Sequence, residues 1–271
     1  QRLQVNLLNI RALCLMCGLL TLNATAGSQQ SQPARFEANQ IIEFSKSVEK
    51  FAASKHARAF IIGRVGQPEN KLPKGIRFTH TAIAVYSQIQ LKSGELANGY
   101  AIYNLYQQAD NPKRSDIVVD YPVDFFWGAQ AMTAGVIIPS QQVQQALISA
   151  ITQDVHIELH NPKYSVIANP NNNKYQNCTE HTLNVLNAAI YDSTDMSTIK
   201  QTIRQYFQPQ TVHVSGFKLA LGGLFSDDIR TSDHKGKPRT ATFSTIAKYL
   251  SQYELLDGTY VMAQSGNVTQ L

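Results

Sequence analysis

The chain has 271 residues, a formal net charge of +5, 43% hydrophobic and 16% charged residues. This balance excludes a disordered tail or a collagen-like rod and is enough for one large domain with its own core. The charge is too mild to argue for nucleic acid as a partner, which calls for a clustered basic face.

Residues 1–26 read as a signal peptide. Arg2 and Arg11 form a basic flank, Ala12 to Leu22 is an apolar run, and Ala24-Thr25-Ala26 has the form of a cleavage site. The run is too short to span a bilayer. Neither Cys14 nor Cys17 makes a lipoprotein signal, since Arg11 and Cys14 stand where a leucine is wanted. The expectation is export, periplasmic or secreted after cleavage, with no transmembrane segment in the mature chain. Residues 27–36 are a Gln/Ser-rich spacer, and 37–271 form a single domain.

The first element of that domain is a helix over Ala38 to Ser54, with Ile41, Ile42, Phe44, Val48 and Phe51 near one face. Strands are predicted at Ala57 to Val65, Phe78 to Ser87, Tyr100 to Tyr106, Ile117 to Phe126 and Gly135 to Ile138. Gly66-Gln67-Pro68, Lys92-Ser93-Gly94, Asn98-Gly99 and Asn111-Pro112 punctuate them. A helix capped by Ser140 runs to Thr152, followed by an extended piece at Tyr164 to Ala168 and a polar loop over Asn169 to Asn173. Further helices fall at Cys178 onward, Met196 to Phe207 and Ser244 to Tyr253, with a last strand at Thr259 to Ala263. Short strands in succession favour antiparallel pairing, and helices on either side of the cluster give an α+β fold, an antiparallel sheet packed with helices.

Cys178 is the single cysteine left after the leader. An oxidising compartment favours paired cysteines, so a lone thiol is either a nucleophile or a small buried hydrophobe. Asn177 is a good N-cap and Glu180 follows three residues later as in a capping box, which puts Cys178 at the first position of a helix. Unpaired N–H groups and the dipole there favour thiolate and can hold an oxyanion, whereas Glu180 opposes it. Of seven histidines, His80 is the preferred base because its strand would hold the imidazole rigidly. His234, beside Asp233 in a turn, is second. His181 reads as a partly exposed residue, and His56, His156, His160 and His213 as solvated ones. A hairpin turning near Lys92-Ser93-Gly94 sets Asn104 opposite His80, where it would orient the ring. Zinc on Cys178 and His181 is a weak signal without a second ligand pair, so neither a metal nor a cofactor is assigned. The aromatic stretch Tyr121 to Trp127 reads as core, and Gly63, Gly66 and Gly222-Gly223 lack the context of a phosphate loop.

A strand-borne His80, a polar Asn104 on the next strand and a downstream Cys178 resemble the permuted papain-like, NlpC-type cysteine hydrolases, in which His precedes Cys. Several longer segments resemble an uncharacterised bacterial exported family, domain of unknown function 2145. They are Gly63-Arg64-Val65-Gly66-Gln67-Pro68, Phe78-Thr79-His80-Thr81-Ala82-Ile83-Ala84-Val85, Asn104-Leu105-Tyr106-Gln107, Asp120-Tyr121-Pro122-Val123-Asp124-Phe125-Phe126, Tyr164-Ser165-Val166-Ile167-Ala168-Asn169-Pro170 and Tyr175-Gln176-Asn177-Cys178-Thr179-Glu180-His181. The first resemblance implies a permuted papain-like shell; the second hands over no activity. The expected function is a periplasmic cysteine hydrolase cutting an amide bond in cell-wall peptide or exported protein, with Cys178, His80 and Asn104 at its centre. Its rivals are a thiol acyltransferase built from the same parts and a non-catalytic envelope protein binding peptide, glycan or lipid. Oligomeric state is not legible.

Overall fold

The computed structural model describes residues 34–90, 93–215 and 229–271. The predicted leader, most of the spacer, Lys92 and Gly222-Gly223 lie outside the described residues. In chain order the elements are α1 (Ala38–Ser54), β1 (Ala59–Val65), β2 (His80–Gln90), β3 (Leu96–Gln107), β4 (Ser115–Asp120), α2 (Pro122–Trp127), β5 (Ala131–Pro139), α3 (Gln141–Thr152) and α4 (Val155–Glu158). They continue with α5 (Cys178–Tyr191), α6 (Met196–Tyr206), β6 (Gln210–Thr211), β7 (Arg239–Thr240), α7 (Phe243–Gln252), β8 (Leu256–Ala263) and β9 (Val268–Gln270). Seven strands form one antiparallel sheet in the order β4-β3-β2-β1-β5-β8-β9. The fold is α+β, as the strand and helix order predicts.

Helices cover both faces of this sheet. On one, α1 and α2 pack Ile41, Phe44, Val48, Phe125 and Phe126 against Phe60, Ile62, Ala82, Ala84 and Ile102. On the other, α3, α5, α6 and α7 pack against Ala59, Ile61, Ile83, Val85 and Ile137. Each fully buried large apolar side chain contributes about 1.5–3 kcal/mol. Double cover explains the apolar run of β1, interrupted by one charge at Arg64, all seven residues of which are buried. No helix among the described residues is long and apolar enough to cross a membrane.

The predicted strand over Ile117 to Phe126 is corrected. β4 stops at Asp120 and the chain turns into α2, because Pro122 lacks the N–H a ladder needs while its fixed φ suits a first helical turn. Asp124 Oδ2 accepts the Tyr121 N–H at the start of α2. The aromatic stretch is core at Phe125 and Phe126, but Tyr121 and Trp127 are exposed. Ser140 occupies the N-cap of α3 without a side-chain capping bond. The short helix α4 was not predicted.

Gly63 and Gly135 face each other across β1 and β5. The rings of Phe78 and Phe243, with centroids 4.6 Å apart, fill the space where their side chains would stand. A Cβ on Gly135 would lie 2.6 Å from Phe243 and 2.8 Å from Phe78. Gly135→Ala is therefore expected to destabilise the protein by about 1–3 kcal/mol in urea denaturation, through displaced rings. An unchanged midpoint would contradict this packing.

Candidate active site

β2 starts at His80, which pairs with Arg64 of β1. On the other side β2 and β3 align Ile83 with Tyr103, so the register carried to the strand end sets Tyr106, not Asn104, opposite His80. The expected register is off by two residues. A shift of two preserves the face, so Asn104 still reaches the ring diagonally. Its Oδ1 lies 2.9 Å from His80 Nε2. Tyr106 stacks on the imidazole with centroids 4.8 Å apart and planes 7° apart, and Phe125 of α2 closes over it at 5.4 Å.

Around this pair is a polar network. Asn104 Nδ2 donates to Asp120 Oδ2 and to the Ile102 carbonyl, both at 3.2 Å, and Tyr106 donates its hydroxyl to Asp120 Oδ2 at 2.5 Å. The Arg64 guanidinium donates to the Phe125 carbonyl and lies 5.6 Å from the Tyr106 ring centroid. Burial, reinforced by the charge of Arg64, holds the His80 pKa well below the ordinary value, against the pull of Asn104. Burial likewise raises that of Tyr106. Both rings are neutral near pH 7.

Cys178 is the first residue of α5, as predicted. Asn177 Oδ1 accepts the Glu180 N–H at 2.9 Å, while its Nδ2 donates to the Val166 carbonyl and to Thr240 Oγ1. The sulfur packs with Leu105 and Tyr164. The thiol donates to the carbonyl of Thr79, the residue before His80, at 3.9 Å, and stands 3.8 Å from Thr179 Oγ1. Leu105, between Asn104 and Tyr106 on β3, projects to the opposite face from them and meets Cys178 there. Thiol and imidazole thus converge on the start of β2 from its two faces, with no hydrogen bond between them. His80 Nδ1 has no hydrogen-bond partner among the described residues. Cys178 is 4% exposed, and His80 and Asn104 are fully buried.

The capping box is half formed. Glu180 does not reach back to Asn177; it is fully buried and pairs with Lys200 Nζ at 2.6 Å. Lys200 spends its other hydrogens on Asn184 Oδ1 and the Pro170 carbonyl. Burial pushes the Glu180 carboxyl up to about 7, although Lys200 pulls the other way. Other expectations about histidines are corrected. His181 is buried, because α5 is enclosed by its neighbours, and burial takes its pKa down to about 3. His156 is buried against Tyr103, and His160 bonds Ser115 Oγ. His234 Nε2 bonds the Ile167 carbonyl and lies 3.2 Å from Asp233 Oδ1, in a turn.

Sequence reasoning missed Arg64, Tyr106, Asp120 and Lys200. Signals for three existed: Arg64 is the one charge in the apolar run of β1, Tyr106 stands two residues from Asn104, and Asp120 ends a strand before a proline. Lys200 lacked any, since a lysine on an amphipathic helix reads as solvated. Lys200→Met is expected to cost about 3–5 kcal/mol in chemical denaturation by stranding Glu180, and the Glu180→Leu/Lys200→Met double variant less. Equal losses in the two variants would contradict a buried ion pair.

No group of three or more His, Cys, Asp or Glu side chains able to hold a metal ion occurs among the described residues. Neither the curated proteins nor the solved structures yield a match to this chain. The sequence model of a family described as "Uncharacterized protein conserved in bacteria (DUF2145)" matches residues 51–250, which include every side chain of the site. The chain belongs to that family.

Proposed function

We propose that this chain is a cysteine hydrolase in which Cys178 attacks an acyl carbonyl, His80 moves the proton and Asn104 positions His80. The observation that carries the reading is the imidazole itself. Asn104 holds it through Nε2, and the unbonded Nδ1 belongs to the residue next to the carbonyl that the Cys178 thiol touches. For this the sulfur would leave Thr79 and meet Nδ1 around the start of β2, where the two faces of the sheet come together, giving up its proton as the C–S bond forms. The imidazolium would return that proton to the leaving amine, and water would then cleave the thioester. Catalytic hydrogen bonds are often long or poorly aligned in a resting enzyme and tighten when substrate enters. The N–H groups of Cys178 and Thr179 have no intrahelical acceptor and suit an oxyanion.

The order His80, Asn104, Cys178 along the chain supports a permuted papain-like arrangement. The leader-like residues 1–26 support a substrate outside the cytoplasm, an amide bond of cell-wall peptide or exported protein. A thiol acyltransferase differs only in what accepts the acyl group. The second reading, a non-catalytic envelope protein binding peptide, glycan or lipid, is favoured by one observation: thiol and imidazole are both buried and unbonded to each other.

Alkylation of Cys178 by iodoacetamide against pH separates the two. A hydrolase gives a folded thiol that reacts near neutrality and about tenfold more slowly in His80→Ala. A thiol inert until the protein unfolds contradicts the hydrolase and leaves the binding protein.

A further inference from the structure

Asp120 is buried at the end of β4, two strands from His80, and has no task in the mechanism above. Its Oδ2 receives the Tyr106 hydroxyl and the Asn104 amide nitrogen. By shape alone the Asn104 amide fits either way round, since its oxygen and nitrogen ends are of similar size. Hydrogen bonding decides. A carboxylate and the Ile102 carbonyl only accept, so the NH2 end must face them and Oδ1 must face His80. An amide oxygen also only accepts, so the imidazole nitrogen 2.9 Å away, Nε2, carries the hydrogen. A neutral imidazole has one N–H, which leaves the lone pair on Nδ1, the ring atom without a partner.

We propose that Asp120 is a positioning residue: by holding the Asn104 amide in one orientation it keeps His80 in the Nε2–H tautomer and presents Nδ1 as the base. The catalytic meaning rests on the hydrolase reading; the tautomer does not. Burial beside Arg64 keeps the ring neutral, so only the two tautomers compete. With Asp120 removed, the Ile102 carbonyl alone would oppose a flip of the amide. A flipped Asn104 donates to Nε2, forces the hydrogen onto Nδ1, and leaves no lone pair there to take a thiol proton.

The test is two-bond proton–nitrogen correlation NMR of the full chain with labelled histidine, the His80 signal being assigned by its loss in His80→Gln. The wild type is expected to show Nε2 protonated and Nδ1 bare. Asp120→Ala should populate the Nδ1–H form, and Asp120→Asn, which keeps an acceptor oxygen in place, should restore the wild-type pattern. A merely structural Asp120 would not move the tautomer. If Asp120→Ala does not fold, Asp120→Leu, which fills the space and offers no acceptor, is read the same way. A wild-type Nδ1–H tautomer, or an alanine or leucine variant with the wild-type tautomer, overturns the proposal. The expected tautomers together with alkylation indifferent to His80 would remove the hydrolase and leave Asp120 in its role. The reverse pair of results would do the opposite.

Discussion

A sheet covered by helices on both faces gives the polar side chains at its centre no water, and each must find its partner inside the protein. That constraint organises the start of β2. His80 takes Asn104, Asn104 takes Asp120 and the Ile102 carbonyl, and Tyr106 reaches the same carboxylate while stacking on the ring. Within this closed set the buried exceptions stand out. Among the described residues His80 Nδ1 and the neighbouring Thr81 hydroxyl have no hydrogen-bond partner, next to the backbone that Cys178 touches. Leaving a buried polar atom without a partner costs about 1–3 kcal/mol.

The second half of the site obeys the same rule on the other face. The segment before α5 is tied down by Asn177 to Val166 and Thr240, by Thr240 to Ala168, and by Lys200 to Pro170. Asp233 accepts the Asn169 N–H, and Arg204 donates to the Asn171 carbonyl. These bonds fix where α5 begins and therefore where the sulfur sits. Lys200 also neutralises Glu180, the carboxylate that would otherwise oppose a thiolate two residues away. Rigid placement of the nucleophile and of the base is thus achieved by separate networks, one on each face, that meet at Thr79 and His80.

How much of this was legible follows from what each signal measures. Apolar periodicity found α1, and the extended apolar runs found β1 to β3 and β5, because burial on a sheet or helix leaves a local pattern. The Asn177 cap placed Cys178 at a helix start because capping is a short-range effect. The β2–β3 register was off by two because it depends on the length of a turn, yet the period of two kept Asn104 on the face of His80. His181 reads as partly exposed and Lys200 as solvated because their surroundings come from elements far off in sequence. Asp120 was hidden inside a strand expected to run on to Phe126, and the proline after it marked the break. The opposed approach of thiol and imidazole had no sequence signature at all, since it depends on which layer α5 joins.

The account stands or falls on whether the folded protein can transfer an acyl group through Cys178. Mixing it with p-nitrophenyl acetate and following release of nitrophenolate, with intact-mass detection of the adduct, asks this directly. The account predicts a burst of about one equivalent, an acetyl group on Cys178, and loss of the burst in His80→Ala. A folded protein that gives no burst while its unfolded chain is acetylated at Cys178 would contradict it.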